Sequence, residues 1–132
     1  MLFEPLESAD LRYISLGAGV QSSVMALMAA RGDIEPMPDC AVFADTQWEP
    51  SGIYEHLNWL EDQLPFPVHR VTFGDIREMV LRTVNEEPGG VYRANVAPSI
   101  PVFLKSSLGE GSLLQRQCTS NFKIRPVQKR VR

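Results

Sequence analysis

The chain has 132 residues, 44% hydrophobic and 22% charged, with a net charge of −3. Those values fit one ordinary globular domain. No apolar run reaches the roughly 20 residues of a membrane span, and the acidic start of the chain lacks the basic region of a signal peptide.

The first 11 residues read as a leader of low order, with Leu6 and Leu11 as apolar contacts. Arg12 to Leu16 then favours a buried strand. Gly17-Ala18-Gly19 follows, three residues with almost no side chain, where the backbone can turn sharply and turn out its N–H groups. Gln21 to Arg31 reads as a helix that is apolar on nearly every face, which predicts burial all round with methionines as core filler. Gly32 is placed to end it in the left-handed conformation. A helix N-terminus offers unpaired N–H donors and positive partial charge. Strand, small-residue turn and helix start therefore make either a phosphate cradle or an ordinary tight turn.

Pro36 and Pro38 mark a connection. Cys40 to Ala44 is a continuous apolar run of the kind found in parallel sheets. Ser51 to Leu64 predicts an amphipathic helix, with Ile53, Leu57, Leu60 and Leu64 on one stripe and Ser51 as N-cap. Val68 to Phe73 predicts a third strand. Asp75 and Glu78 have capping-box spacing and predict a helix from Asp75 to about Thr83. Three strands alternating with helices indicate a parallel α/β sheet.

Residues 85–112 are rich in proline and glycine, with Ile100 to Leu104 the only strand-like piece. A loop of that length is usually functional or disordered, and here it reads as a lid. Leu113 to Cys118 reads as a short strand or extended lead-in. Thr119 or Ser120 can cap a helical turn, and Pro126 suits the first turn of a further helix, which runs to Arg132 without a stop signal. Residues 12–132 thus read as one domain, unfinished at its C-terminal side.

The charge is uneven. Residues 116–132 hold six of the 13 basic residues and no acid, which leaves a net −9 on the first 115. Such an excess suits an anionic partner, or is a solvated helix face. The two cysteines, Cys40 and Cys118, form no motif with each other, so a reducing, cytoplasmic setting is expected.

Three stretches, in order, resemble one family. Gly17-Ala18-Gly19-Val20-Gln21-Ser22 is similar to the PP-loop, Ser-Gly-Gly-x-Asp-Ser, of the adenine nucleotide alpha hydrolase-like (HUP) superfamily. Phe43 to Pro50, with Asp45, Thr46, Glu49 and Tyr54, resembles the stretch after the second strand of phosphoadenosine phosphosulfate (PAPS) reductases. Arg116-Gln117-Cys118-Thr119 with Lys123-Ile124-Arg125-Pro126-Val127 resembles a later segment of the same enzymes. The overall likeness is to PAPS-reductase-like proteins of phages and bacteria, and more distantly to sulfur-transfer enzymes of DNA phosphorothioation. It covers nearly the whole chain from Tyr13 onward.

The resemblance implies a Rossmann-like three-layer sandwich with a mainly parallel sheet, binding ATP or a sulfonucleotide (adenylylsulfate or PAPS) at the C-terminal ends of its strands. The implied activity is sulfonucleotide reduction or ATP-dependent sulfur or adenylyl transfer. The alternatives are a non-catalytic nucleotide-binding module, or a sulfur-transfer component acting on nucleic acid. Ser15, Gly17, Ala18, Gly19, Gln21, Ser22, Ser23, Asp45 and Thr46 are the implied nucleotide-binding residues. Lys123, Arg125 and Cys118 are the implied catalytic ones. Gly17 and Gln21 stand where the family has serine and aspartate, and the reductase tail motif Glu-Cys-Gly-x-His does not occur in these residues.

Read singly, Ser22 and Ser23 serve a phosphate or the helix's own first turn. Asp45 serves a ribose hydroxyl, a Mg²⁺-bound water or a helix cap, and Glu49 serves similarly. Trp48 stacks on a base or covers the sheet edge, the second being favoured. Cys118 lies among cations that favour its thiolate. It is an iron–sulfur ligand only if further cysteines lie beyond residue 132, and otherwise a partly buried thiol. Lys129 and Arg130 are further cations for a phosphate or sulfate. His56 and His69 lack ligand spacing and read as structural. The expected partner is a small adenine nucleotide and not a membrane; nucleic acid is not favoured, and self-association is left open.

Overall fold

A computed structural model describes residues 9–78, 103–105, 111–113 and 118–132. Its elements are β1 (Tyr13–Leu16), α1 (Val20–Arg31), β2 (Cys40–Asp45), α2 (Ser51–Gln63), β3 (Val68–Thr72), β4 (Phe103–Lys105) and β5 (Gly111–Leu113). A π-helical segment (Cys118–Ile124) follows and continues directly into α3 (Arg125–Val131).

The protein is mixed α/β. β1, β2 and β3 form a parallel sheet in that order, with Leu16 opposite Phe43 and Asp45 opposite Thr72. Alternation along each strand sends side chains to two faces. Ile14, Leu16, Ala41 and Phe43 pack with Ala26 and Ala29 of α1 and with Leu57 and Leu60 of α2. Cys40 and Val42 pack with Val127 of α3 on the opposite face. β2, central and covered on both sides, is therefore the continuously apolar strand.

Helix α1 departs from the sequence expectation. It lies on the core through Ser23, Ala26 and Ala29, all small, with Leu27 and Ala30 partly buried against the same cluster. Val20, Val24, Met25 and Met28 are exposed. Small side chains let the helix approach the sheet closely, and most of its larger ones then fall on the far side. Met25 and Met28 are thus not core filler. The C-terminus behaves as expected: Gly32 has φ 81°. Its N–H donates to Ala29 O, and Asp33 N–H donates to Met28 O, closing a Schellman motif.

Helix α2 follows its stripe, with Leu57 and Leu60 fully buried. Ser51 is its first helical residue; Pro50 holds the N-cap position, with no side-chain cap. Asp75 does cap a helical start at 76–78, its Oδ1 accepting from the N–H groups of Arg77 (2.8 Å) and Glu78 (3.3 Å). The expected continuation to Thr83 lies outside the described residues, as do Leu6 and most of the expected lid.

Within 85–112, β4 pairs antiparallel with β5, Phe103 opposite Leu113. Apolar Phe103 and Leu104 favour the strand. The expected capped turn at Thr119 is instead part of the π-helical segment. Pro126 does stand in the first turn of α3. Among the described residues no helix is long and apolar enough to cross a membrane.

Candidate functional site

The C-terminal ends of β1 and β2 open onto a cleft of about 220 Å³. It is lined by Ser15, Leu16 and Gly17 at the end of β1, by Phe43, Ala44 and Glu49 at the end of β2, and by Thr119, Lys123 and Ile124 of the π-helical segment. Two stretches about 100 residues apart in sequence, Ser15–Gly17 and Thr119–Ile124, meet here because α3 packs down the second face of β2 and β3. That packing leaves the preceding segment at the strand ends.

The turn above the cleft is built by its own side chains. The Gly17 N–H donates to Ser22 Oγ (3.2 Å), which itself donates to Gly19 O (3.3 Å). Ser22 thus stitches the turn closed. Ala18, not a glycine, takes the left-handed conformation at φ 54°, with its methyl buried. Gly19 is the N-cap of α1, in extended backbone without a side-chain cap. Ser23 N–H makes the first intrahelical bond, to Gly19 O. The N–H groups of Val20, Gln21 and Ser22 precede it, where a helix leaves its donors unpaired. The first turn carries no acid, so no side chain of that turn offsets its positive potential.

Ser23 is buried, and its hydroxyl shares a 2.8 Å hydrogen bond with His56 Nε2 of α2. That bond commits it to the α1–α2 contact. His56 also stacks on Trp59, ring centroids 5.7 Å apart. Spacing alone gave no hint of the Ser23–His56 pair, because the partners lie 33 residues apart.

The loop after β2 forms a second cluster. Tyr54 OH donates to Asp45 Oδ1 (2.7 Å), which also accepts from Gln47 N–H (2.8 Å). Thr46 is buried; its hydroxyl donates to Glu49 Oε1 (2.9 Å) and accepts from Trp48 N–H (3.3 Å). Gln47 sits at φ 61° and reaches Thr72 of β3 through its amide (3.1 Å). Ile76 N–H donates to Thr46 O, joining the loops after β2 and β3. The Tyr54 hydroxyl is pushed above its ordinary pKa, chiefly by burial and next by its bond to Asp45. Burial likewise raises the Cys40 thiol, reinforced by Asp39 and opposed by Arg130.

The expected residues therefore divide. Ser15, Gly17 and Lys123 line the cleft. Ala18, Gly19, Gln21 and Ser22 form the turn above it. Asp45 and Thr46 belong to the adjoining loop, and Thr46 spends its hydroxyl inside that loop. Arg125 is exposed at the start of α3, one residue past the cleft wall. Cys118 opens the π-helical segment, and its side chain lies outside the described ones. Lys129 is exposed on α3, whereas Arg130 Nη2 lies 3.3 Å from His69 Nδ1 of β3. Glu49, read with Asp45 as a binding carboxylate or helix cap, lines the cleft, as does Thr119, which was expected only to cap a helical turn. Among the described residues no three His, Cys, Asp or Glu side chains converge as metal ligands. A Mg²⁺ ion here would take most of its shell from ligand phosphates and water.

The chain matches no protein-family profile, no curated protein and no solved structure.

Proposed function

We propose that the chain is an adenine-nucleotide-binding domain of the PAPS-reductase-like class, built on a Rossmann-like sheet and working in the cytoplasm. The observation that carries this reading is the cleft at the ends of β1 and β2, which Ser15 and Gly17 line together with Lys123. Ligands of open parallel sheets bind at those ends. The nucleotide's phosphates would lie on the Gly17–Ser22 turn, under the free N–H groups of α1, with Lys123 neutralising charge from across the cleft. Asp45, oriented by Tyr54, is the carboxylate for a ribose hydroxyl. A bound Mg²⁺ would add positive charge at the phosphates. Arg125 is the second cation for a reacting phosphate or sulfate.

Binding is better supported than any one reaction. Ser22 is committed to the turn, Ser23 to His56, and the aspartate usual in a PP-loop is Gln21. Sulfonucleotide reduction and ATP-dependent sulfur or adenylyl transfer remain the activities this site serves; a binding module is the second reading, favoured by those committed hydroxyls.

Calorimetry with ATP, AMP, adenylylsulfate and PAPS tests the proposal. We expect at least one to bind, and Lys123→Ala to weaken it about tenfold or more. No binding by any of the four at millimolar concentration would sink it. Sulfite release or α–β phosphate cleavage by the binding-competent protein separates enzyme from module.

A further inference from the structure

We infer that the edge of the sheet beside the cleft is a binding surface for a single-stranded nucleic acid. Three observations meet there. Trp48 and Phe73 stand just past the ends of adjacent strands β2 and β3, and both rings are about half exposed, at 53% and 48%. The loops that carry them are tied together, Gln47 to Thr72 (3.1 Å) and Ile76 N–H to Thr46 O (3.1 Å), which brings both rings to the C-terminal end of the sheet. Phe73 packs edge-on against Phe122 at 5.4 Å, which sets it next to Lys123. Ile124, also about half exposed, adds apolar surface beside them.

The cations complete the surface. Lys123, Arg125, Lys129 and Arg132 are exposed along the π-helical segment and α3, and Arg77 is exposed just past β3. α3 runs from the cleft down to His69, where Arg130 is engaged. Its cations therefore form a ridge leading away from the rings, not a pocket around one anion. No acid occurs in the sequence from residue 111 onward. Among the described residues of these loops, Asp45, Glu49 and Asp75 are tied to Tyr54 and Gln47, to Thr46, and to the N–H groups of Arg77 and Glu78.

Exposed rings that stack on unpaired bases, beside a line of cations that follows the phosphates, are what a single strand requires. A duplex keeps its base faces stacked and would leave both rings unused. The sequence hid this arrangement, because the rings lie 50 residues or more from the cations of the last segment.

Fluorescence anisotropy with labelled DNA and RNA strands of about 12 nucleotides tests the inference. We expect binding at low salt, with log affinity falling by about 0.7 per neutralised phosphate as log salt rises. The DNA and RNA arms decide which strand is preferred; binding of either supports the surface. Trp48→Ala should weaken binding about tenfold, and Trp48→Phe, which keeps a ring, should largely restore it. The double variant Arg77→Gln/Arg132→Gln should flatten the salt slope by about 1.4 and leave AMP affinity unchanged. The inference is overturned if neither strand binds, if Trp48→Ala has no effect in protein with unchanged circular dichroism, or if a duplex or heparin binds as tightly. Because mononucleotide binding is read separately, loss of strand binding with AMP binding intact counts against this surface alone.

Discussion

Tyr54 illustrates how one hydroxyl couples local structure to the site. It donates to Asp45 and is partly withdrawn from water, and both effects favour its protonated form. Its folded pKa lies above its unfolded one, so its contribution to stability is full below about pH 10 and is lost as pH rises through the folded value. Alkaline absorbance titration should show Tyr54 ionising late. Tyr54→Phe should remove that late phase and flatten the alkaline fall in stability. Two backbone positions make a similar contrast. Gly32, at φ 81°, has open space around it, so Gly32→Ala meets only backbone strain and should cost about 1 kcal/mol in urea unfolding. Ala18 carries the same kind of strain at φ 54°, but its methyl is buried. Relief of about 1 kcal/mol on Ala18→Gly is offset by about 0.8 kcal/mol of lost burial, so that variant should be nearly neutral.

Among the elements, the α1–α2 contact and the Lys123 wall should separate stability from binding. Ser23→Ala removes a buried hydrogen bond to His56 and should lower stability by about 1 kcal/mol, with nucleotide affinity within about twofold. Lys123→Ala should do the reverse, because Lys123 is exposed and its wall is held by Phe122 and Val127. Unfolding curves and calorimetry on the same two variants check the pair; a large affinity loss on Ser23→Ala would return its hydroxyl to the phosphate. Leu57→Ala, at a fully buried position, should cost about 2–5 kcal/mol and mark α2 as the structural side of the molecule. At this scale the sequence was a good guide to element type. The stripe of α2 and the apolar run of β2 placed both elements within a residue or two. It misjudged α1, because a helix rich in Ala and Ser can seat its small residues and turn its large ones outward; composition does not say which stripe approaches the sheet.

At the scale of the whole molecule, charge and topology act together. The acidic body and the basic last stretch meet at the strand ends, where Lys123 faces the helix start that carries no acid of its own. A ligand seated there binds only the folded chain, so saturation at about 100 times Kd should raise the unfolding free energy by about 2.7 kcal/mol. Thermal unfolding with and without AMP or ATP reads that linkage. A shift that vanishes in Lys123→Ala but persists in Ser23→Ala ties it to the cleft.

Alternating apolar runs, the Gly17–Gly19 turn, the Gly32 stop, the Asp75 cap and Pro126 are local signals, and each was legible in the sequence. Periodicity, turn chemistry and helix ends depend on residues only a few positions apart. What met what was decided by tertiary structure. Packing of α3 on β2 brought Lys123 and Thr119 to Gly17, and parallel pairing set Trp48 and Phe73 on one edge. Burial gave Ser23 to His56 instead of to the turn. These pairs lie tens of residues apart, and only the sheet and the helices closing over it bring them within reach.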